Sequence, residues 1–345
     1  MTPRQRQLAT IRREIPDRIA IDAICVENTK EVAAHLGIAP EAVLDRLGID
    51  GRVVTAGYTG KVRPPKGEIT YSDWGTSGWQ FHERREYPLA GASVADIERY
   101  PWVPAPADYD YAAAARAAGE LDARYAVRGP YWKPLFCQVC DLMGMEAAML
   151  ALAGEPPLFE AALGRVFAHV QEYCRRLLAA CGEAMPIFCL GDDFATQRGL
   201  MISPADWRRL LKPLYARLFA PAKSAGKVVW FHSCGDISAV LGDLVDIGMD
   251  VWETVQLHTL PMTPRELKRQ YGKHVTFFGG INTQRLPFAE PQEIRAEVRR
   301  VIGELGEGGG YICGPDHHVK YNVPPENTVA LFDAAMAFRR KGYTA

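Results

Sequence analysis

From about residue 110 onward, short apolar runs alternate with capped amphipathic stretches, which restricts the chain to folds in which helices wrap a parallel sheet. Five runs read as buried strands: Met185–Leu190, Val228–His232, Val251–Val255, Val275–Phe278 and Gly310–Cys313. Ile19–Ile24 and Tyr125–Arg128 are earlier candidates. The stretches between them carry start and stop signals. Ser203-Pro204-Ala205-Asp206 offers a cap, a proline at the first helical position and an acid in the first turn; Leu210, Leu211, Leu214 and Leu218 follow as an apolar stripe. Thr263-Pro264-Arg265-Glu266 is a capping box, and Pro291 opens a helix that Gly306 closes. A last helix is expected from Glu326 to Lys341, stopping at Gly342. Roughly seven or eight such units fit an α/β fold of the (β/α)8 TIM-barrel kind. A doubly wound open sheet is the alternative, but no G-x-G-x-x-G follows any strand, which argues against its dinucleotide-binding form.

Residues 1–110 differ in texture, being rich in Gly, Pro and aromatics. The stretch GRVVTAGYTGKVRPPKGEITYSDWGTSGWQF reads as hairpins, and YPWVPAPADYDY as an extended connector. The expectation is one domain over 1–345, with 1–110 as a helical and hairpin elaboration and lid, and 111–345 as the main barrel. Trp74, Trp79, Phe81, Tyr87 and Trp102 form either an aromatic lid or simple packing; Arg84 and Arg85 read as a solvated face. A net charge of −1 gives no reason to expect nucleic acid or an anionic membrane as partner. The amino terminus has no apolar h-region and no run spans a bilayer, so a cytoplasmic protein with reduced thiols is expected from eight scattered cysteines. The sequence is nearly silent on oligomeric state and compatible with a homodimer.

In a (β/α)8 barrel the chemistry collects at the carboxyl ends of the strands. Five strand ends here lead to Asp192-Asp193, to His232-Ser233-Cys234, to Glu253 with Gln256 and His258, to Gly279-Gly280-Ile281-Asn282, and to Cys313 followed by Asp316-His317-His318. His232 and Cys234 are two apart, so both can face one ion, and Cys313 lies on a strand the barrel brings nearby. One imidazole and two thiolates suit Zn2+, with a position left open for water or substrate. The competing reading is a buried histidine with two packed cysteines. Asp192 and Asp193 are either an acid–base pair or a cap beside a solvated carboxylate. His317 is a candidate for orienting substrate or acting as an acid. Cys137-x-x-Cys140 has no second CxxC to complete a zinc ribbon and is expected to pack against the barrel.

Four stretches, GDDFATQRGLMISPADWRRLLKP, FHSCGDISAVLGDLVDIGMD, VTFFGGINTQ and GGGYICGPDHHVKYNVPPENT, occur in the order in which the uroporphyrinogen decarboxylase superfamily carries its own. Over most of its length the chain resembles that superfamily, and within it the zinc-dependent corrinoid methyltransferases. The decarboxylases need no metal and carry an arginine-rich amino-terminal segment that has no counterpart here. The methyltransferases carry an H-x-C…C zinc signature, which the resemblance lays on His232, Cys234 and Cys313. The resemblance implies a barrel with zinc in its mouth, a small O- or N-methylated substrate or thiol, and a corrinoid carried by a separate small protein. Glu253 or Asp192 would then supply a fourth ligand or a proton, with Asp193 and His317 also candidates for acid–base work. A metal-free decarboxylase or lyase on the same barrel, and a non-catalytic binding protein, are the alternatives.

Overall fold

Eight short strands, nearly all buried on both faces, run parallel. They are β1 (Ala20–Ile21), β2 (Gly51–Val53), β3 (Ala126–Pro130), β4 (Ile187–Gly191), β5 (Val228–His232), β6 (Val251–Val255), β7 (Thr276–Ile281) and β8 (Tyr311–Pro315). The structure is a computed structural model and describes residues 1–77 and 86–338. The strands pair in the order β1-β8-β7-β6-β5-β4-β3-β2, a (β/α)8 TIM barrel closed but for the β1–β2 seam. Asp50 spans that seam: its amide donates to Ile21 O at 2.8 Å, and its carboxylate accepts from Ile21 N at 3.0 Å. Arg6 and Arg18 hold the same carboxylate from below.

Strand parity divides the core into two layers. Ala20, Ala126, Ile187, Cys189, Trp230, Val251, Phe278 and Ile312 fill the interior. Alternate residues such as Phe188, Phe231, Trp252, Phe277 and Tyr311 face outward to the helices. The amino-terminal helix, Pro3–Ile11, plugs the floor: Leu8 and Ile11 pack on the interior cluster. Gln7 reaches up to Asp22, which is bidentate with Arg128 at 2.6 and 3.1 Å, and both members of that pair are buried. A Cβ at position 51 would lie 2.2 Å from both the Arg128 guanidinium and the Asp22 carboxylate, so β2 must begin with glycine.

The helix signals are borne out where they are local. Ser203 caps Pro204–Leu210, and Thr263 with Glu266 makes a reciprocal box on Pro264–Tyr271. Pro291–Leu305 ends at Gly306. The Leu210–Leu218 stripe is shared by two helices, Pro204–Leu210 and Lys212–Ser224, which break at Leu211. The last helix, Pro325–Ala337, stops earlier than expected, at an extended Phe338; Gly342 lies outside the described residues. Gly51–Val53, expected in a hairpin, is a barrel strand, so residues 1–110 contribute both β1 and β2. Trp74 is buried edge-on to His169, and Trp102 packs on the core; Trp79, Phe81, Arg84 and Arg85 lie outside the described residues. All eight cysteines are free thiols. Among the described residues no single helix is long and apolar enough to cross a membrane.

Candidate metal centre

His232 closes β5 with the same parity as Trp230, so its ring enters the barrel, and the register sets it opposite Glu253 of β6. Glu253 is fully buried. Its Oε1 lies 2.9 Å from His232 Nδ1 and accepts from the Tyr131 hydroxyl at 2.8 Å, while Oε2 accepts from Trp230 Nε1. Beyond β5 three amides pin the turn. Ser233 N donates to Glu253 O at 2.6 Å, Cys234 N to Asp193 Oδ1 at 2.7 Å, and Gly235 N to Gln256 Oε1 at 2.8 Å. Cys234 Sγ then stands 3.7 Å from His232 Nε2, and Asp193 Oδ1 3.6 Å from the same nitrogen.

The third member comes from beyond β8. Asp316 fixes the chain there: its amide donates to Ile281 O, and its Oδ1 accepts from the Thr283 amide and hydroxyl at 2.9 and 2.7 Å. His258 Nδ1 lies 3.4 Å from its other oxygen. The next residue, His317, stacks on His318 and meets His232 edge-on, with centroids 6.1 Å apart. One ligand atom from each of His232, Cys234 and His317 lies within 4.8 Å of the others. Among the described residues neither ring nitrogen of His317 has a hydrogen-bond partner.

The donor set fits a divalent ion. Burial, and then the positive charge of His232, hold His317 down at about 3, so its imidazole is neutral and keeps a lone pair for ligation. Burial also pushes His232 down, but the hydrogen bonds to Cys234 and Glu253 outweigh it and hold the ring well above the usual histidine range. Burial raises the Cys234 thiol. A cation among these groups would displace their protons, the ordinary linkage of metal binding to pH. Two imidazoles and one thiolate suit zinc, with a fourth position left for Asp193, water or substrate.

Cys313, expected as the second thiolate, does not join this group. Strand β8 runs to Pro315, and Ile312 takes the inward position, so Cys313 faces the helices beside Tyr311. There burial pushes its thiol up to about 12. Asp192 is also placed elsewhere. Its Oδ2 accepts from Leu135 N, Phe136 N and the Tyr215 hydroxyl, and its Oδ1 accepts from Cys137 N. It is the buried anchor for the start of helix Phe136–Met143, not a group free to exchange protons. Cys140 packs in the core and Cys137 Sγ donates to Asp193 O at 3.1 Å, as packing of the CxxC requires. Asp193 does face the group. So does Trp132, a residue with no signal in a single sequence: it is 42% exposed and stands edge-on to His232 at 5.7 Å. A Cβ at position 191 would come within 2.7 Å of its ring, so Gly191 makes its room.

The family model described as "Uroporphyrinogen decarboxylase (URO-D)" matches residues 85–338. The chain belongs to this family. A uroporphyrinogen decarboxylase of Geobacter sp. (strain M21) is 24% identical over 95% of this chain and 92% of that one. That of Nitrosospira multiformis is 34% identical over 80 residues, only 22% of that protein's length. Among solved structures, a methyltransferase from Methanosarcina mazei superposes with a TM-score of 0.66 at 20% identity, covering 97% of this chain and 98% of that one. At that identity the likeness speaks for a shared fold alone.

Proposed function

We propose that this uroporphyrinogen decarboxylase-family chain is a zinc-dependent methyltransferase that moves a methyl group between a small O- or N-methylated substrate, or a thiol, and a corrinoid carried by a separate small protein. The observation that carries the reading is the half-buried His317 ring, without a protein hydrogen-bond partner and grouped with His232 and Cys234. A neutral imidazole that no protein donor engages, beside a second imidazole and a thiol, has a lone pair to give to an ion. His232, Cys234 and His317 would hold the ion, which when bound supplies a Lewis acid for the methylated heteroatom, or for a thiol, beside it. Asp193, partly exposed and 3.6 Å from His232 Nε2, is placed to give or take the proton at that heteroatom. The Trp132 ring forms one wall for the substrate next to His232. The corrinoid supplies the methyl-carrying chemistry, and the carrier protein would approach the carboxyl-end mouth, where these residues open.

A second reading, a metal-free decarboxylase or lyase, draws on the activity named for the sequence relatives and would use Asp193 and His317 as acid and base. Metal content decides between the two. Mass spectrometry of protein purified without added metal is expected to find about one zinc per chain, lost in Cys234→Ala and in His317→Ala but kept in Cys313→Ala. No zinc after reductive reconstitution would overturn the methyltransferase reading in favour of acid–base chemistry.

A further inference from the structure

Glu253 stands behind the His232 ring, on its Nδ1 side, with each of its oxygens facing a protein group. Oε1 faces His232 Nδ1 and the Tyr131 hydroxyl, and Oε2 faces Trp230 Nε1. Two of these three neighbours are obligate or natural donors: an indole N–H can only donate, and the Tyr131 hydroxyl donates here. All are held in place. Trp230 is fully buried, with the Arg128 guanidinium 5.0 Å over its ring, and Arg128 is tied to Asp22, which Gln7 reaches from the floor helix. The carboxylate therefore cannot rotate or leave, and it presents an acceptor to His232 Nδ1. An imidazole whose Nδ1 must donate has Nε2 as its remaining ligand atom, and Nε2 is the nitrogen that faces Cys234.

We propose that Glu253, clamped by Trp230 and Tyr131, is a positioning residue that holds His232 as the Nδ1–H tautomer, directing Nε2 to the ion, and that it is neither a ligand nor an acid. The inference rests on the zinc reading above. It assigns to the barrel interior a task beyond packing, because the column from Gln7 through Asp22, Arg128 and Trp230 ends on the orientation of a single ring.

The test exploits the donor-only indole. In Glu253→Gln the side-chain amide keeps its size but has one acceptor oxygen. Trp230 Nε1–H demands that oxygen, which turns the NH2 toward His232 Nδ1 and favours the wrong tautomer. Zinc affinity, measured by competition with a chromophoric chelator, is expected to fall ~10–100-fold, the usual effect of losing a carboxylate behind a ligating histidine. Adding Trp230→Phe removes the competing donor, so the double variant should recover several-fold of the loss; a purely structural role for either residue predicts further loss. Long-range 1H–15N correlation spectra of the zinc-loaded protein should show the His232 proton on Nδ1. Unchanged affinity in Glu253→Gln, a zinc-loaded His232 with its proton on Nε2, or a double variant no tighter than the single one would overturn the proposal. Failure of the unsubstituted protein to take up zinc is a separate result, and it would overturn the functional reading on which the proposal stands.

Discussion

Four positions separate Cys313 from His317, and a strand boundary decides between them. Read from apolar character alone, the last strand ends at Cys313 and a thiol stands at the mouth. In the structure β8 continues to Pro315, so Cys313 is an outward-facing residue in mid-strand and His317 is the group delivered beside His232. Residue type was legible in the sequence, but the facing of the side chain was not: the period of two does not say which alternate set enters the barrel, and in β8 that set holds Ile312. His232 shares the inward parity of Trp230, and Cys234, just beyond β5, is held by its amide bond to Asp193. Cys313→Ser should therefore act as a core substitution. It puts a hydroxyl into a buried site where the Tyr311 side chain is a polar neighbour, at a cost of ~1–3 kcal/mol, read as a lower urea midpoint with zinc content unchanged. Loss of zinc from this variant would return Cys313 to the ligand set.

Elements announced by local chemistry were legible, whereas those made by tertiary pairing were not. The capping boxes and proline starts need only a few consecutive residues, and Thr263–Glu266 and Ser203–Asp206 form as their sequences prescribe. By contrast β2 is three residues long, has a half-exposed Val53, and exists because Gly51 to Val53 pair with Ala126 to Arg128. Nothing in its own sequence distinguishes it from a turn. Helix Phe136–Met143 is an intermediate case: it carries no side-chain cap of its own, and the anchor for its first amides is Asp192, supplied from the end of β4. Asp192→Ala leaves those amides and the Tyr215 hydroxyl without their acceptor. It should lower unfolding free energy by at least ~3 kcal/mol, in urea titrations followed by circular dichroism. Asp192→Asn keeps one acceptor oxygen and should lose less. A near-neutral alanine variant would mean that the carboxylate is not the anchor the geometry makes it.

At the scale of the whole molecule, pH stability has one contributor far from the proposed ion. His169 lies buried between Trp74, Tyr109 and Tyr173, with Nδ1 2.8 Å from Pro104 O. Burial, and then the charge of Lys133, hold it down at about 4. The folded state thus binds its proton less readily than the unfolded chain does. Its contribution is fully present above the ordinary histidine value and is lost as pH falls through that value toward 4, amounting to ~3 kcal/mol over the interval. His169→Gln should flatten the stability curve across this window in denaturant titrations at stepped pH. A variant curve parallel to the unsubstituted one would exclude His169 as a source of acid sensitivity. The barrel as an architecture was legible because alternation and caps recur along the whole chain. The way it closes was not, because Asp50 bridges a seam between segments that carry no common pattern.

The polar column through the barrel also sets where this scaffold tolerates change. Interiors of this kind invite replacement of ion pairs by well-packed aliphatic residues, a substitution often neutral or stabilising in other proteins. Here the Asp22–Arg128 pair sits directly beneath the indole that grips Glu253, so relaxation around a new Met or Leu would travel toward His232. A laboratory seeking a hardier variant would do better in the outer layer, among residues such as Val298, Val301 and Ala335, whose contacts end in other hydrocarbon. For this molecule the inside of the barrel behaves as machinery and the shell around it as ballast.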